Sequence, residues 1–317
     1  MSFEAMKQRI LAMPEVAAWP QMTTFIGRAT HHPWRSLWDY PFIASRAVGG
    51  TDEAAIPGAG AIFCSLASVH LVDDMLDDDP NGDYHTLGVG NAANLALAFQ
   101  AAGHRALDAV PGDGELRAAL QGNLARMALA TAYGQNLDAC GFRTEEEYWR
   151  TVQAKTPPLF GSAFYLGARL GGAPEATAAQ LERLGGMIGM FIQVSDDLAD
   201  AVKTPAGADW QRRFNNLAIL FALTADYPER ERFEQLSAHP EDAAGIAEAQ
   251  RILLRSGAVS YCALKLIEFA RDTRELLASI ALPDAAAVEQ LLAAHLRPLD
   301  MLFKSVGIDT PAVFLPD

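Results

Sequence analysis

The sequence predicts an all-α protein built as one large bundle of about ten or more helices, and three observations carry that reading. Alternating β-branched runs are nearly absent, while Ala, Leu, Met, Gln and Glu dominate. Turn-forming pairs cut the chain at intervals of about 15–25 residues, the spacing of packed helices. Some segments, notably Gly185 to Val194 with Met187, Ile188, Met190, Phe191 and Ile192, are apolar nearly all round and belong inside a bundle. With 50% hydrophobic and 20% charged residues, the 317-residue chain has ample material for a core. No low-complexity linker or repeat divides it, so one domain over residues 1–317 is expected.

The segment Met1 to Pro14 carries Glu4, Lys7 and Arg9 and lacks an apolar signal core. Breaks follow at His31-His32-Pro33, Gly49-Gly50, Pro80-Asn81-Gly82, Pro111-Gly112-Asp113-Gly114, Gly171-Gly172-Ala173-Pro174, Pro205-Ala206-Gly207 and Pro283-Asp284. Thr144 with Glu147 three residues on predicts a capped helix start. Ala54 to Val72 and Thr86 to His104 hold no acidic or basic residue, yet Pro57, Gly58, Gly88, Gly90 and Asn91 interrupt them. Buried helices are expected there and no membrane span.

The formal charge of −14 offers no basic patch for phosphate backbones, which excludes a nucleic-acid partner. Cys64, Cys140 and Cys262 are far apart and odd in number, which argues for a reducing, cytoplasmic setting. Gly88-Val89-Gly90-Asn91-Ala92-Ala93 lacks the preceding strand of a dinucleotide fingerprint, His31 and His32 lack metal-ligand company, and His70, one turn from Asp74, is expected to be a buried structural histidine.

Chemistry concentrates in two acidic clusters. The first is Asp73-Asp74-Met75-Leu76-Asp77-Asp78-Asp79, directly after an apolar segment. If the helix continues, Asp73 and Asp77 stack on one face and Asp78 lies beneath Asp74. In the second, Asp196-Asp197-Leu198-Ala199-Asp200, helical spacing puts Gln193, Asp196 and Asp200 on one face. A run of carboxylates is ordinarily a solvated helix end. Two matching runs, each closing an apolar helix, instead demand a counter-charge that nearby Lys and Arg are too few to supply. Mg²⁺, held by one or two carboxylates per ion with water and substrate phosphate, meets that demand. The metal ligands expected are Asp73, Asp74, Asp77, Asp78, Asp79, Asp196, Asp197 and Asp200, the two clusters facing each other across the bundle. A di-iron site would need Glu-x-x-His pairs, which are missing.

Over roughly residues 25 to 220 the chain resembles the trans-polyprenyl diphosphate synthases of the all-α isoprenoid synthase fold. Asp73-Asp74-Met75-Leu76-Asp77 and Asp196-Asp197-Leu198-Ala199-Asp200 match its two aspartate-rich motifs. Phe191 and Gln193, Lys155-Thr156, Lys203 with Pro205-Ala206-Gly207 and Asp209, and Ala47-Val48-Gly49-Gly50 match the flanking pattern. The resemblance implies ionisation of an allylic prenyl diphosphate at about three Mg²⁺ ions, in a homodimer. Asp73, Asp74, Asp77, Asp196 and Asp200 would be catalytic, and Lys155, Thr156, Gln193, Lys203, Arg35, Ser68 and Val69 would bind substrate. Small residues at Ala67 and Ser68 imply room for a farnesyl or geranylgeranyl chain, and Phe63, Phe164, Tyr165, Phe191 and Trp38 are aromatic candidates for steadying a cation.

Three departures touch the second substrate. The Gly-Lys-Arg positions fall near Pro33, Trp34 and Arg35, so only the Arg remains; Gly82, Asp83, Tyr84 and His85 occupy the region of the usual Arg-Arg-Gly; and a late lysine is replaced near Phe214, beside Arg212 and Arg213. Each lost charge-assisted hydrogen bond to a diphosphate weakens binding by about 1.5–3 kcal/mol. The expectation is therefore a terpene synthase that cyclises or rearranges farnesyl or geranylgeranyl diphosphate. The alternative is a chain-elongating prenyltransferase that condenses isopentenyl diphosphate with an allylic diphosphate, and a third reading is a catalytically silent subunit.

Overall fold

A computed structural model describes residues 2–28, 37–111, 114–207, 209–212 and 215–305. His31, His32, Pro33, Trp34, Arg35, Arg213 and Phe214 lie outside the described residues. Every regular element among the described residues is a helix, as the sequence predicts. The chain divides into two compact units, one comprising Met1–Tyr133, Pro157–Gly186 and Leu276–Leu291, the other Gly134–Thr156, Met187–Glu275 and Leu292–Asp317.

The first unit opens with α1 (Ser2–Leu11), α2 (Pro14–Ala17), α3 (Pro20–Arg28) and α4 (Tyr40–Ala47). Its axis is α5 (Asp52–Asp77), packed along α1, α4, α7 and α10. Thr51 caps α5 by accepting from the Ala54 N–H, and Pro57 does not stop it. The hydrogen bond Pro57 forgoes belongs to the carbonyl of Glu53, an exposed residue that water can serve. By length and composition α5 could cross a membrane, but 83% of its most apolar 18-residue window is buried in the protein. Burial of Ile62, Phe63 and Leu71, each at most 2% exposed, contributes about 1.5–3 kcal/mol per side chain.

Next come α6 (Tyr84–Leu87), α7 (Val89–Asp108) and α8 (Gly114–Cys140), the last contributing to both units. Gly88, at φ 82°, makes the turn between α6 and α7 with a left-handed backbone that glycine adopts without strain. Only one face of α7 is buried, so the apolar stretch expected to be core is core on one side. The unit is completed by α10 (Pro157–Leu170), the first part of α11 (Glu175–Val202) and the start of α17 (Ala286–Ser305).

The second unit holds α9 (Glu145–Lys155), the rest of α11, α12 (Asp209–Arg212), α13 (Leu217–Thr224), α14 (Arg230–Ser237), α15 (Ala243–Arg255), most of α16 (Ala258–Ser279) and the end of α17. The predicted capping box is present: Thr144 Oγ1 accepts from the Glu147 N–H and Glu147 accepts from the Thr144 N–H. Trp210, Phe233, Leu220, Ile219, Val194 and Cys262 are among the side chains of its core. All three cysteines are free thiols.

Candidate active site

In the first unit α5 keeps Asp73 and Asp77 on one face, both half-buried. The helix ends there: Asp78 takes a left-handed conformation at φ 52°, which aspartate tolerates better than most residues, and the Asp79 N–H turns back onto the Asp74 carbonyl at 3.0 Å. Asp78 therefore leaves the helical register and does not sit beneath Asp74. Its Oδ1 accepts from the Tyr84 hydroxyl at 2.8 Å, and Asp79 Oδ1 accepts from the Asn81 N–H at 2.7 Å. Asp74 is buried, with His70 Nδ1 at 3.2 Å from its Oδ1. Burial first, then the charges of Asp79, Asp73 and Asp83, push Asp74 up to about 7, against a lowering hydrogen bond from the Asp83 backbone.

Asp83 lies in the region where the resemblance calls for Arg-Arg-Gly, and an arginine reaches it from elsewhere. Arg28 on α3 grips both Asp83 oxygens at 3.1–3.2 Å and lies over the Phe25 ring at 5.8 Å. Ser68 and Val69, a turn before Asp73, are half-buried. The aromatic candidates Trp38, Phe63, Phe164, Tyr165 and Phe191 are all buried at 5% exposure or less, and Trp38 and Phe63 pack on each other at 5.4 Å as ordinary core does.

In the second unit α11 remains helical to Val202, so Gln193, Asp196 and Asp200 share a face as predicted. Desolvation, then repulsion from Asp200 and Asp209, pushes Asp196 up to about 6. Asp197 faces inward, 3% exposed. It accepts from Tyr148 Oη (2.7 Å), the Leu217 N–H (2.9 Å) and Gln193 Nε2 (2.9 Å). Burial raises it to about 7 against those three donors.

Lys155 ends α9 and is paired with Asp138 of α8 at 2.7 Å, both mostly buried. Asn215 Nδ2 donates to the same carboxylate at 3.1 Å. A methyl group at Gly134 would overlap the Lys155 backbone, so this crossing of α8 and α9 requires glycine. Thr156 Oγ1 donates to Gln193 Oε1 at 2.7 Å. Lys203 is exposed, and its carbonyl accepts from Gln250 Nε2 at 2.8 Å. Asp209 accepts from Asn216 at 2.7 Å, and its pKa is raised by burial and by Asp200 and Asp138, with Lys155 opposing. Asp138 and Asp209 thus join this cluster although sequence spacing did not mark Asp138. The available signal was an aspartate four residues after Gly134 on a long helix.

Among the described residues, no three His, Cys, Asp or Glu side chains converge into a closed metal shell. Each helix end nevertheless offers oxygen ligands, the chemistry of a hard cation, and burial is the first cause of the raised pKa of Asp74 at one end and of Asp196 and Asp197 at the other.

Solved structures of prenyl synthases resemble this chain. The geranylgeranyl pyrophosphate synthetase of Pyrococcus horikoshii superposes with TM-score 0.79 at 21% identity, covering 92% of this chain and 94% of that one. The geranylgeranyl pyrophosphate synthase of Corynebacterium glutamicum, complexed with calcium and isoprenyl diphosphate, gives TM-score 0.78 at 19% identity over 93% of each chain. At those identities the likeness establishes the isoprenoid synthase fold alone. Sequence goes further: the polyprenyl synthetase model matches residues 50–253, and the chain belongs to that family of isoprenoid synthases. A short chain isoprenyl diphosphate synthase of Methanothermobacter thermautotrophicus is 29% identical over 269 residues, which cover 79% of this chain and 82% of that protein.

Proposed function

We propose that the protein elongates prenyl chains, condensing isopentenyl diphosphate with an allylic diphosphate in a Mg²⁺-dependent reaction. The observation that carries this reading is the likeness, across about four-fifths of the chain, to a relative named for diphosphate synthesis. It reverses the ranking expected from the missing basic residues, and the guanidinium of Arg28, which stands at Asp83 although no local sequence pattern announces it, supports the reversal. Cyclisation without isopentenyl diphosphate stays as the second reading, favoured by Gly82 and Asp83 themselves.

In this reading Asp73, Asp77, Asp196 and Asp200 hold the Mg²⁺ ions, whose charge offsets the negative charge gathering on the departing diphosphate. Asp74, held by His70, and the loop carboxylates Asp78 and Asp79 support that end of α5. Lys155, presented by Asp138, and Lys203 hydrogen-bond diphosphate oxygens, and Arg35 and Arg28 serve the second diphosphate. Ser68 and Val69 line the path of the prenyl chain. A second copy of the chain covers the apolar outer faces of α7 and α8, where Leu97 is 71% exposed, Leu129 75% and Tyr133 53%. Sedimentation of a single-chain mass at micromolar concentration would remove that dimer.

The deciding assay incubates the protein and Mg²⁺ with farnesyl or geranylgeranyl diphosphate, with and without isopentenyl diphosphate, and separates hydrocarbons from diphosphates. Longer diphosphates formed only with isopentenyl diphosphate are expected. Hydrocarbon formed without it establishes cyclisation, and recovery of substrate alone in both arms defeats both enzymatic readings.

A further inference from the structure

Asp197 has a different chemical position from its motif neighbours. Its carboxylate oxygens face the Tyr148 hydroxyl, the Leu217 N–H and the Gln193 amide nitrogen, all donors. Asn216 adds a donor to the Asp197 carbonyl at 2.7 Å, and its own Oδ1 caps α13 by accepting from the Ala218 and Ile219 N–H groups. An ionised carboxylate, acceptor only, is the species this pocket satisfies. With Gln193 Nε2 committed to Asp197, Gln193 Oε1 must face Thr156, and the Thr156 hydroxyl must spend its proton there. The hydrogen bonds therefore run in one direction, Thr156 to Gln193 to Asp197, with Tyr148 and the start of α13 closing the far end.

We propose that Asp197 is a positioning residue and not a metal ligand: anchored by Tyr148, Leu217 and Asn216, it sets the direction of the Thr156–Gln193 hydrogen bond, so that the Thr156 oxygen meets substrate as an acceptor with no proton to give. The inference deepens the reading of Thr156 and Gln193 as substrate-binding residues and rests on it.

Asp197→Asn tests it because the change is isosteric. Asparagine can keep Oδ1 toward Tyr148 and Leu217 and must then turn Nδ2–H toward Gln193, whose amide flips and frees the Thr156 proton. Steady-state elongation is measured against Mg²⁺ and allylic diphosphate for the wild type, Asp197→Asn, Thr156→Val and the double variant. Asp197→Asn is expected to lower kcat about 10- to 100-fold, with KM for the allylic diphosphate changed less than about threefold. Its Mg²⁺ requirement stays within about twofold of the wild type, whereas loss of a true ligand raises it tenfold or more, as roughly expected for Asp196→Asn. In the double variant the losses do not multiply: its kcat stays within about threefold of Asp197→Asn alone. A tenfold rise in the Mg²⁺ requirement of Asp197→Asn, or multiplying losses, overturns the proposal. If Asp197→Asn does not fold by circular dichroism, Tyr148→Phe replaces it, and a tenfold rise of its Mg²⁺ requirement overturns the proposal equally. An inactive wild type in the same assay is instead a failure of the proposed function.

Discussion

The two acidic helix ends look alike in sequence and are built differently. At the end of α5 the partners come chiefly from the next few residues: Tyr84 holds Asp78, Asn81 caps Asp79, and His70 sits one turn from Asp74, with Arg28 as the distant exception. At the end of α11 the partners come from α9, the residue that closes it and the start of α13: Tyr148, Thr156, Asn216 and Leu217. Local assembly leaves the first cluster able to form with its own helix and loop. The second takes shape only when several helices have packed, so its geometry is tied to the stability of the whole unit.

The sharpest test of this contrast is catalytic, because the proposed function asks both ends to carry Mg²⁺ despite their different construction. Asp73→Asn and Asp196→Asn are each expected to lower kcat by about 10³-fold or more in the elongation assay, since charge stabilisation of that kind is a large term. Both variants should keep the wild-type circular dichroism spectrum. Near-normal turnover in one variant alone would mean that a single acidic end holds the metal, and the likeness of the two motifs would lose its functional meaning.

A smaller effect separates the ends by pH. Asp74 is raised to about 7 and Asp196 to about 6, so the folded state holds protons that the unfolded chain, with carboxyl pKa near 4, has already released. Stability is then fully present below about pH 4 and is lost as pH rises toward 7. The lowered carboxyls Glu147, Glu229, Glu241 and Glu248 act below that window. Buried His295, with its pKa lowered, opposes the trend with one proton. Metal-free protein should therefore lose several degrees of melting temperature between about pH 5 and 8, and Mg²⁺ with inorganic diphosphate should flatten the slope. Differential scanning fluorimetry reads both, and a metal-free melting point that rises over this range contradicts the assignment. Asp74→Asn should remove part of the slope.

How much of this was legible in the sequence follows the same local and distant division. The all-α fold, the breaks at Gly49-Gly50 and Pro80-Asn81-Gly82, the capping box at Thr144 and the shared face of Gln193, Asp196 and Asp200 depend on neighbours within a turn or two, and period and turn chemistry expose them. Arg28 with Asp83, Lys155 with Asp138 and Tyr148 with Asp197 are 17 to 55 residues apart, and their meeting depends on how helices cross, which no periodicity encodes. Counting basic residues inside motifs cannot see an arginine such as Arg28, which reaches Asp83 from another helix.

The smallest predicted effect tests the division directly, with one hydroxyl removed at each end. Tyr148 is 1% exposed and its hydroxyl serves a fully buried carboxylate, so Tyr148→Phe leaves Asp197 one donor short in a place water does not reach. The expected loss of stability is about 1.5–3 kcal/mol, the range for a buried hydrogen bond to a charged group. Tyr84→Phe removes a bond of nearly the same length, but Asp78 is exposed and water replaces the hydroxyl. Its loss should be about 0.5 kcal/mol or less, within the usual range for surface changes. Urea unfolding of both variants at one pH measures the difference. Equal losses would mean that the loop after α5 is as deeply tied into its unit as the network around Asp197, and the distinction between a local and a distributed acidic end would not hold.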